Sequence, residues 1–231
     1  MRYNATPHEL DAIGASAPWW MYATARWLAH QINKYMWHVE VHGRFNIPAT
    51  GPVIIAPVHR SFIDFFIASE VTNRPIAFMA KDELWKYRLP AKFLEAFGAF
   101  PVNRSGVDRK ALERAESTLK SGGTLILFPE GTRRSGGTVG ELHEGAAFLA
   151  ARTGAVVVPI GLSETEQIMP KGSKIPKRMP VKIVIGKSVH VSGTSSSKRI
   201  RRSELDKITA DIGKSMQDAF NVVNDINGIN G

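Results

Sequence analysis

The chain predicts an α/β fold: a central, mostly parallel or mixed sheet flanked by helices, with an amphipathic N-terminal helical segment. Two observations carry that expectation. After Gly43 short apolar runs recur along the chain, and helical patterns lie between them. The 231 residues are 43% apolar and 22% charged, enough for one full core, and no Pro-, Gly- or Ser-rich linker divides them.

Residues 1–16 are small and polar and read as a loosely ordered lead-in. The stretch APWWMYATARWLAHQINKYMW follows. On a helix at about 100° per residue, Trp20, Met21, Trp27, Leu28, Ile32 and Tyr35 share one face, with Arg26, His30, Asn33 and Lys34 opposite. Tryptophans beside cations suit the bilayer interface. A surface helix packed on its own domain would show the same periodicity. The expected division is a membrane-contact segment over 1–38 and a single α/β domain over 39–231.

Strands are expected at 52–57, 75–80, 99–102, 124–129, 155–160 and 181–186, each an apolar run. Helices are expected at about 62–73, 90–97, 107–121 and 144–153, and a weakly patterned one over about 203–224. The 107–121 segment has the clearest signals. Ser105 and Asp108 have capping-box spacing, Leu112, Ala115 and Leu119 form an apolar stripe, and Gly122-Gly123 ends it.

The formal net charge is +9, and ten Lys or Arg with no acidic residue lie between Lys171 and Arg202. An anionic partner surface or substrate is therefore expected, whether phosphate, nucleic acid or acidic lipid. With no cysteine, thiolate catalysis, disulfides and Cys-based metal sites are excluded. No metal site is expected. No 18-residue window is free of charge, so no transmembrane helix is expected, and the N-terminus lacks the pattern of a secretion signal. The expected location is the cytoplasmic face of the cell membrane, held peripherally. Nothing in the chain speaks to oligomeric state.

PVHRSFIDFF places His59 five positions before Asp64 directly after an apolar run. Composition alone gives about 0.4 chance matches to H-x4-D, so the spacing does not by itself separate a general base and its orienting acid from coincidence. TLILFPEGTRRSGGT runs from a strand into a glycine-rich turn. It resembles a nucleotide-binding P-loop only loosely, because Gly137 stands where that motif needs lysine. It retains the features of an anion site: Gly131 lets backbone N–H groups turn inward, and Arg133 or Arg134 can offer a planar fork to phosphate. Arg104 follows another strand end in GAFPVNRSG. If the strands run parallel, His59, Arg104 and Arg133 converge on the carboxyl rim of the sheet, where open α/β sheets bind ligands.

Four blocks in this order, HRSFID (59–64), GAFPVNR (98–104), FPEGTRRS (128–135) and VVPIG (157–161), resemble the glycerolipid acyltransferases. The resemblance is greatest to 1-acylglycerol-3-phosphate (lysophosphatidate) acyltransferases and covers about residues 53–161. It implies transfer of a fatty acyl group from an acyl thioester, acyl-CoA or acyl carrier protein, to a glycerol hydroxyl. That thioester would be a co-substrate, and no cofactor is implied. By the same resemblance His59 and Asp64 are catalytic, and Arg104, Glu130, Gly131, Thr132 and Arg133 bind the acceptor. Lys81, opening KDELWK, resembles a basic residue found between the first two blocks, and Pro159 matches a structural proline. Val58 departs from the Asn that many lysophosphatidate enzymes carry there. HRSFIDFF is closer to the first block of glycerol-3-phosphate acyltransferases, so that acceptor and other lysophospholipids or glycolipids are alternatives.

The chemistry is consistent with the resemblance. An alcohol becomes nucleophilic when its proton is removed, and imidazole, with an ordinary pKa of about 6.5, suits that task at neutral pH. An aspartate would fix its tautomer. The acceptor supplies its own hydroxyl and the chain has no G-x-S-x-G elbow, so direct attack without an acyl-enzyme is expected. A non-catalytic protein binding acidic lipid or nucleic acid through its basic stretch is the remote alternative. No helix-turn-helix, zinc or aromatic RNA-binding signature accompanies that stretch, so no specific nucleic acid is expected.

Overall fold

In the computed structural model of the chain, residues 10, 11, 13, 18–103, 108–170, 172, 173, 175–191 and 200–228 are described. The long N-terminal helix α1 is Trp19–Met36, followed by β1 (Glu40–His42), β2 (Val53–Pro57), α2 (Asp64–Ala68) and β3 (Ile76–Lys81). Then come α3 (Arg88–Ala96), β4 (Ala99–Val102), α4 (Arg109–Lys120) and β5 (Thr124–Ile126). The chain continues through α5 (Gly145–Thr153), β6 (Val156–Leu162), the short α6 (Thr165–Ile168) and β7 (Lys182–Ile185) to α7 (Arg202–Gly228).

The seven strands form one sheet in the order β1-β7-β6-β2-β5-β3-β4. From β6 to β4 every pairing is parallel, whereas β7 runs antiparallel to β6 and carries β1 parallel to itself. The sheet is thus mixed. Strand β2 lies between β6 and β5 and is buried along its whole length, which is why VIIAP reads as an unbroken apolar run. Each Val or Ile so buried contributes about 1.5–3 kcal/mol.

The six expected strands and the later helices form close to their expected bounds. The exceptions have local causes. β1 went unread because EVH alternates on an edge strand and carries no apolar run. The strand expected at 124–129 stops at Ile126; Leu127 still donates to Ile55 O, and the chain then turns at Phe128. The helix expected at 62–73 is α-helical only from Asp64 to Ala68 and continues as a 3-10 turn over Ser69–Val71. Asp108 caps α4, accepting from the Ala111 N–H, while Ser105 lies outside the described residues. In the stretch expected as a loose lead-in, Leu10 and Ile13 are buried in the core.

Helix α1 has the expected amphipathic pattern but sits opposite to an ordinary surface helix. Its polar side faces the protein: Arg26 is 1% exposed and Asn33 fully buried. The reason lies at the end of α2, where the last carbonyls of a helix lack intrahelical donors. Arg26 donates to Ser69 O and Thr72 O at 2.8 Å each, and Asn33 donates to Phe66 O at 3.2 Å. His30 Nδ1 lies 2.9 Å from a carboxylate oxygen of Glu70. The buried Tyr22 hydroxyl accepts the Ile76 N–H. Much of the apolar side is left in solvent, with Trp20 56%, Trp27 53%, Leu28 45% and Tyr35 62% exposed. Met21 and Ile32 at its margins pack on the core, and Lys34 of the polar face is exposed.

Candidate active site

The site grows from the carboxyl end of the central strand. Val58 donates to Ile160 O on β6, which carries the ladder one residue beyond β2 and delivers His59 to the rim. The chain then turns and re-enters as α2, whose first residue is Asp64. Five residues suffice to fold the aspartate back beneath the histidine. Its Oδ2 lies 2.9 Å from His59 Nδ1 and also accepts the backbone N–H groups of Arg60 at 2.6 Å and Ser61 at 2.7 Å. Asp64 is fully buried. An oxygen that already accepts two N–H bonds takes the third as an acceptor too, so Nδ1 carries a proton, and in the neutral ring the lone pair is on Nε2. The Phe128 ring packs against the imidazole with centroids 4.3 Å apart and limits its rotation.

The backbone of His59 is held by the segment after β5. Its N–H donates to Glu130 Oε1 at 2.8 Å, and its carbonyl accepts from the Arg134 N–H at 2.8 Å and from Arg60 at 3.1 Å. Glu130 is fully buried, and its carboxylate also receives Arg60 and the Gly140 N–H. Glu130 therefore bonds to the protein itself, in contrast to the acceptor contact implied by the resemblance. Removing one partner of a buried ion pair costs about 3–5 kcal/mol, because the other is left uncompensated. Gly131 has φ 65, and a Cβ there would come within 2.7 Å of the His143 ring. Both the left-handed backbone and the close approach require glycine.

His59, Lys81 and Arg133 line one cavity of about 230 Å³ together with Phe62, Phe65, Phe78, Leu84, Leu94 and Phe128. Two cations and an imidazole in the wall of an otherwise aromatic and apolar chamber suit a ligand with an anionic head and an apolar tail. Lys81 also pairs with Glu83 at 2.8 Å in solvent. Thr132 is exposed, and its hydroxyl donates to Arg133 O. Arg104 lies outside the described residues. The preceding strand β4 ends at Val102, which pairs with Lys81 of β3 in the register.

Arg60, Phe128 and His143 were not singled out from the sequence. Arg60 lies inside the H-x4-D spacing without a signal of its own, and its partner Glu130 stands 70 residues away. Among the described residues no group of three or more His, Cys, Asp or Glu is placed to hold a metal, and no helix is long and apolar enough to cross a membrane.

A family model described as acyltransferase matches residues 38–163. The crystal structure of the 1-acyl-sn-glycerophosphate acyltransferase from Thermotoga maritima superposes with a TM-score of 0.68, at 25% identity over 87% of this chain and 79% of that one. A chloroplast 1-acyl-sn-glycerol-3-phosphate acyltransferase of Arabidopsis thaliana is 32% identical over 160 residues, which is 67% of this chain and 44% of that protein. The 1-acyl-sn-glycerol-3-phosphate acyltransferase of Bacillus subtilis is 29% identical over 153 residues, 66% of this chain and 74% of its own. The chain thus spans less than half the length of the plant relative.

Proposed function

This chain belongs to the acyltransferase family, and on that premise we propose that it moves a fatty acyl group from an acyl thioester to the free hydroxyl of lysophosphatidate, giving phosphatidate. The observation that carries this reading is the three-way hydrogen bonding of Asp64 Oδ2, which leaves His59 Nε2 as the free nitrogen of an imidazole lining the same cavity as Arg133 and Lys81. The relatives named as 1-acyl-sn-glycerol-3-phosphate acyltransferases support this acceptor.

In the proposed reaction His59 Nε2 takes the acceptor's hydroxyl proton as the oxygen attacks the thioester carbonyl. Asp64 stabilises the imidazolium that forms. The tetrahedral oxyanion collapses, the C–S bond breaks, and the proton passes from His59 to the leaving thiolate. The products are a free thiol and an ester. Arg133 and Lys81 hold the phosphate, with Arg104 joining them as the resemblance implies, and the chamber of Phe62, Phe65 and Phe78 takes apolar chain. Acyl-CoA and acyl carrier protein both offer the required thioester.

The reading includes peripheral contact with an anionic membrane at its cytoplasmic face. The outward apolar side of α1 supports it: a helix held by polar contacts to its own domain leaves tryptophans free for the interface. A panel of glycerol 3-phosphate, lysophosphatidate and other lysophospholipids, read as thiol release from palmitoyl-CoA, tests the acceptor. Highest kcat/KM with lysophosphatidate supports the proposal, and preference for glycerol 3-phosphate reassigns the acceptor.

A further inference from the structure

We infer that Arg60 is a positioning residue for His59 and that the C-terminal helix α7, through Phe220 and Gln217, belongs to the same brace. The inference rests on the acyl-transfer reading above and places part of the active-site scaffold in a helix beyond the segment 38–163 that the family model matches.

Arg60 is 6% exposed, and its guanidinium makes four separate attachments. One terminal nitrogen donates to His59 O at 3.1 Å and to both oxygens of Glu130 at 3.0 Å, and the other donates to Thr138 O at 2.9 Å. Its flat face lies over the Phe220 ring, 4.8 Å from the centroid. Glu130 in turn holds the His59 N–H. Arg60 thus reaches both backbone polar groups of the histidine, one directly and one through Glu130.

The outer side of the brace is equally defined. Gln217 of α7 accepts the Val139 N–H at 2.7 Å and donates to Gly137 O at 3.1 Å. The 137–140 segment is therefore pinned between α7 on one side and Arg60 with Glu130 on the other. Helix α7 is itself pressed against β6: a Cβ at Gly161 would collide with the Ala219 carbonyl. β6 is the strand whose Ile160 O receives Val58, the residue before His59. A shift of α7 along β6 would reach His59 by two routes.

Stability does not account for an arginine here. Arg60 Nε is buried without a hydrogen-bond partner, and a buried ion pair is often matched or exceeded in stability by apolar side chains of similar volume. An apolar residue would fill the space but could not grip His59 O, Glu130 and Thr138 at once. Those directed bonds are what catalysis requires, since a misplacement of about 1 Å lowers rates by about a hundredfold.

The test compares Arg60→Gln, Arg60→Lys and Phe220→Leu with wild type in steady-state kinetics and in long-range ¹H–¹⁵N spectra of the His59 ring. In Arg60→Gln, kcat falls by about a hundredfold while the acceptor KM stays within about threefold, and the ring loses its single Nδ1–H tautomer. Arg60→Lys recovers only part, because it keeps the charge without the fork. Phe220→Leu touches neither substrate nor His59, and it lowers kcat by about tenfold at constant KM. Should Arg60→Gln fail to fold, Phe220→Leu decides. A folded variant with wild-type kcat and an unchanged ring spectrum overturns the inference, as does a raised KM at full kcat. If wild type turns over none of the acceptors, the proposed function fails, and the ring spectra alone still decide whether Arg60 and Phe220 position His59.

Discussion

Asp64 Oδ2 sits 2.9 Å from His59 Nδ1 while accepting two backbone N–H groups of the intervening turn. The carboxylate thus fixes the turn and the tautomer together. An amide at this position could still accept the backbone bonds but would present N–H or oxygen ambiguously to the ring. Asp64→Asn is expected to lower kcat by about 10³–10⁴ through the wrong tautomer, with the unfolding midpoint nearly unchanged. Kinetics beside a thermal melt check this.

Arg133 lines the cavity with His59 and is exposed. Its proposed role is to hold the phosphate, and charge-assisted bonds of this kind are worth about 1.5–3 kcal/mol. Arg133→Ala should raise the acceptor KM by about ten- to a hundredfold, with little change in donor KM. Arg133→Lys should recover part of the loss. Varying each substrate in turn separates the two effects.

The reversed orientation of α1 makes opposite predictions for its two faces. Trp20→Asp and Trp27→Asp, on the outward side, should each weaken binding to anionic vesicles by about tenfold without shifting the melting temperature. Asn33→Leu, on the inward side, should lower the melting temperature, since Asn33 donates to Phe66 O and Glu70. Vesicle sedimentation and calorimetry read the two separately. Vesicle binding that is indifferent to the tryptophans would remove the membrane role.

Tyr22 gives a pH-dependent prediction. Burial pushes its phenol above the ordinary 10.0, with the Arg26 guanidinium and the hydrogen bond from Ile76 pulling less strongly the other way. The folded chain holds this proton more tightly than the unfolded chain. Its contribution to stability is therefore complete below the ordinary value and lost as pH rises through the folded one. Urea unfolding should show stability falling above about pH 10, with a shallower fall in Tyr22→Phe. That variant should be about 1–3 kcal/mol less stable at neutral pH, because it strands the Ile76 N–H.

What could be read in advance divides along range. Runs such as VIIAP and VVVPI fill strands buried on both faces, so hydrophobicity alone marks them. The alternating EVH of β1 carries no such mark. The periodicity of α1 separates Arg26, His30 and Asn33 from Trp20, Trp27, Leu28 and Tyr35, although Lys34 is exposed and Met21 and Ile32 pack on the core. Which face turns inward is decided by Ser69, Glu70 and Thr72, some 40 positions later. At the site, His59 and Asp64 stand five apart, but their pairing needed the four-block resemblance beside the spacing; Arg133 was legible from its strand end, and Lys81 from the resemblance alone. The bond between Arg60 and Glu130 spans 70 residues, and the seat on Phe220 more than twice that. Such pairs are set by packing, and a single sequence gives no distance between them.

The proposed reaction depends on His59 acting as general base toward an acceptor hydroxyl. Its most direct test is thiol release from palmitoyl-CoA by wild type and by His59→Ala, with and without lysophosphatidate. Release that requires the acceptor in wild type and falls by about 10³-fold or more in His59→Ala is the predicted result. Acceptor-dependent release at wild-type rates in folded His59→Ala would contradict it.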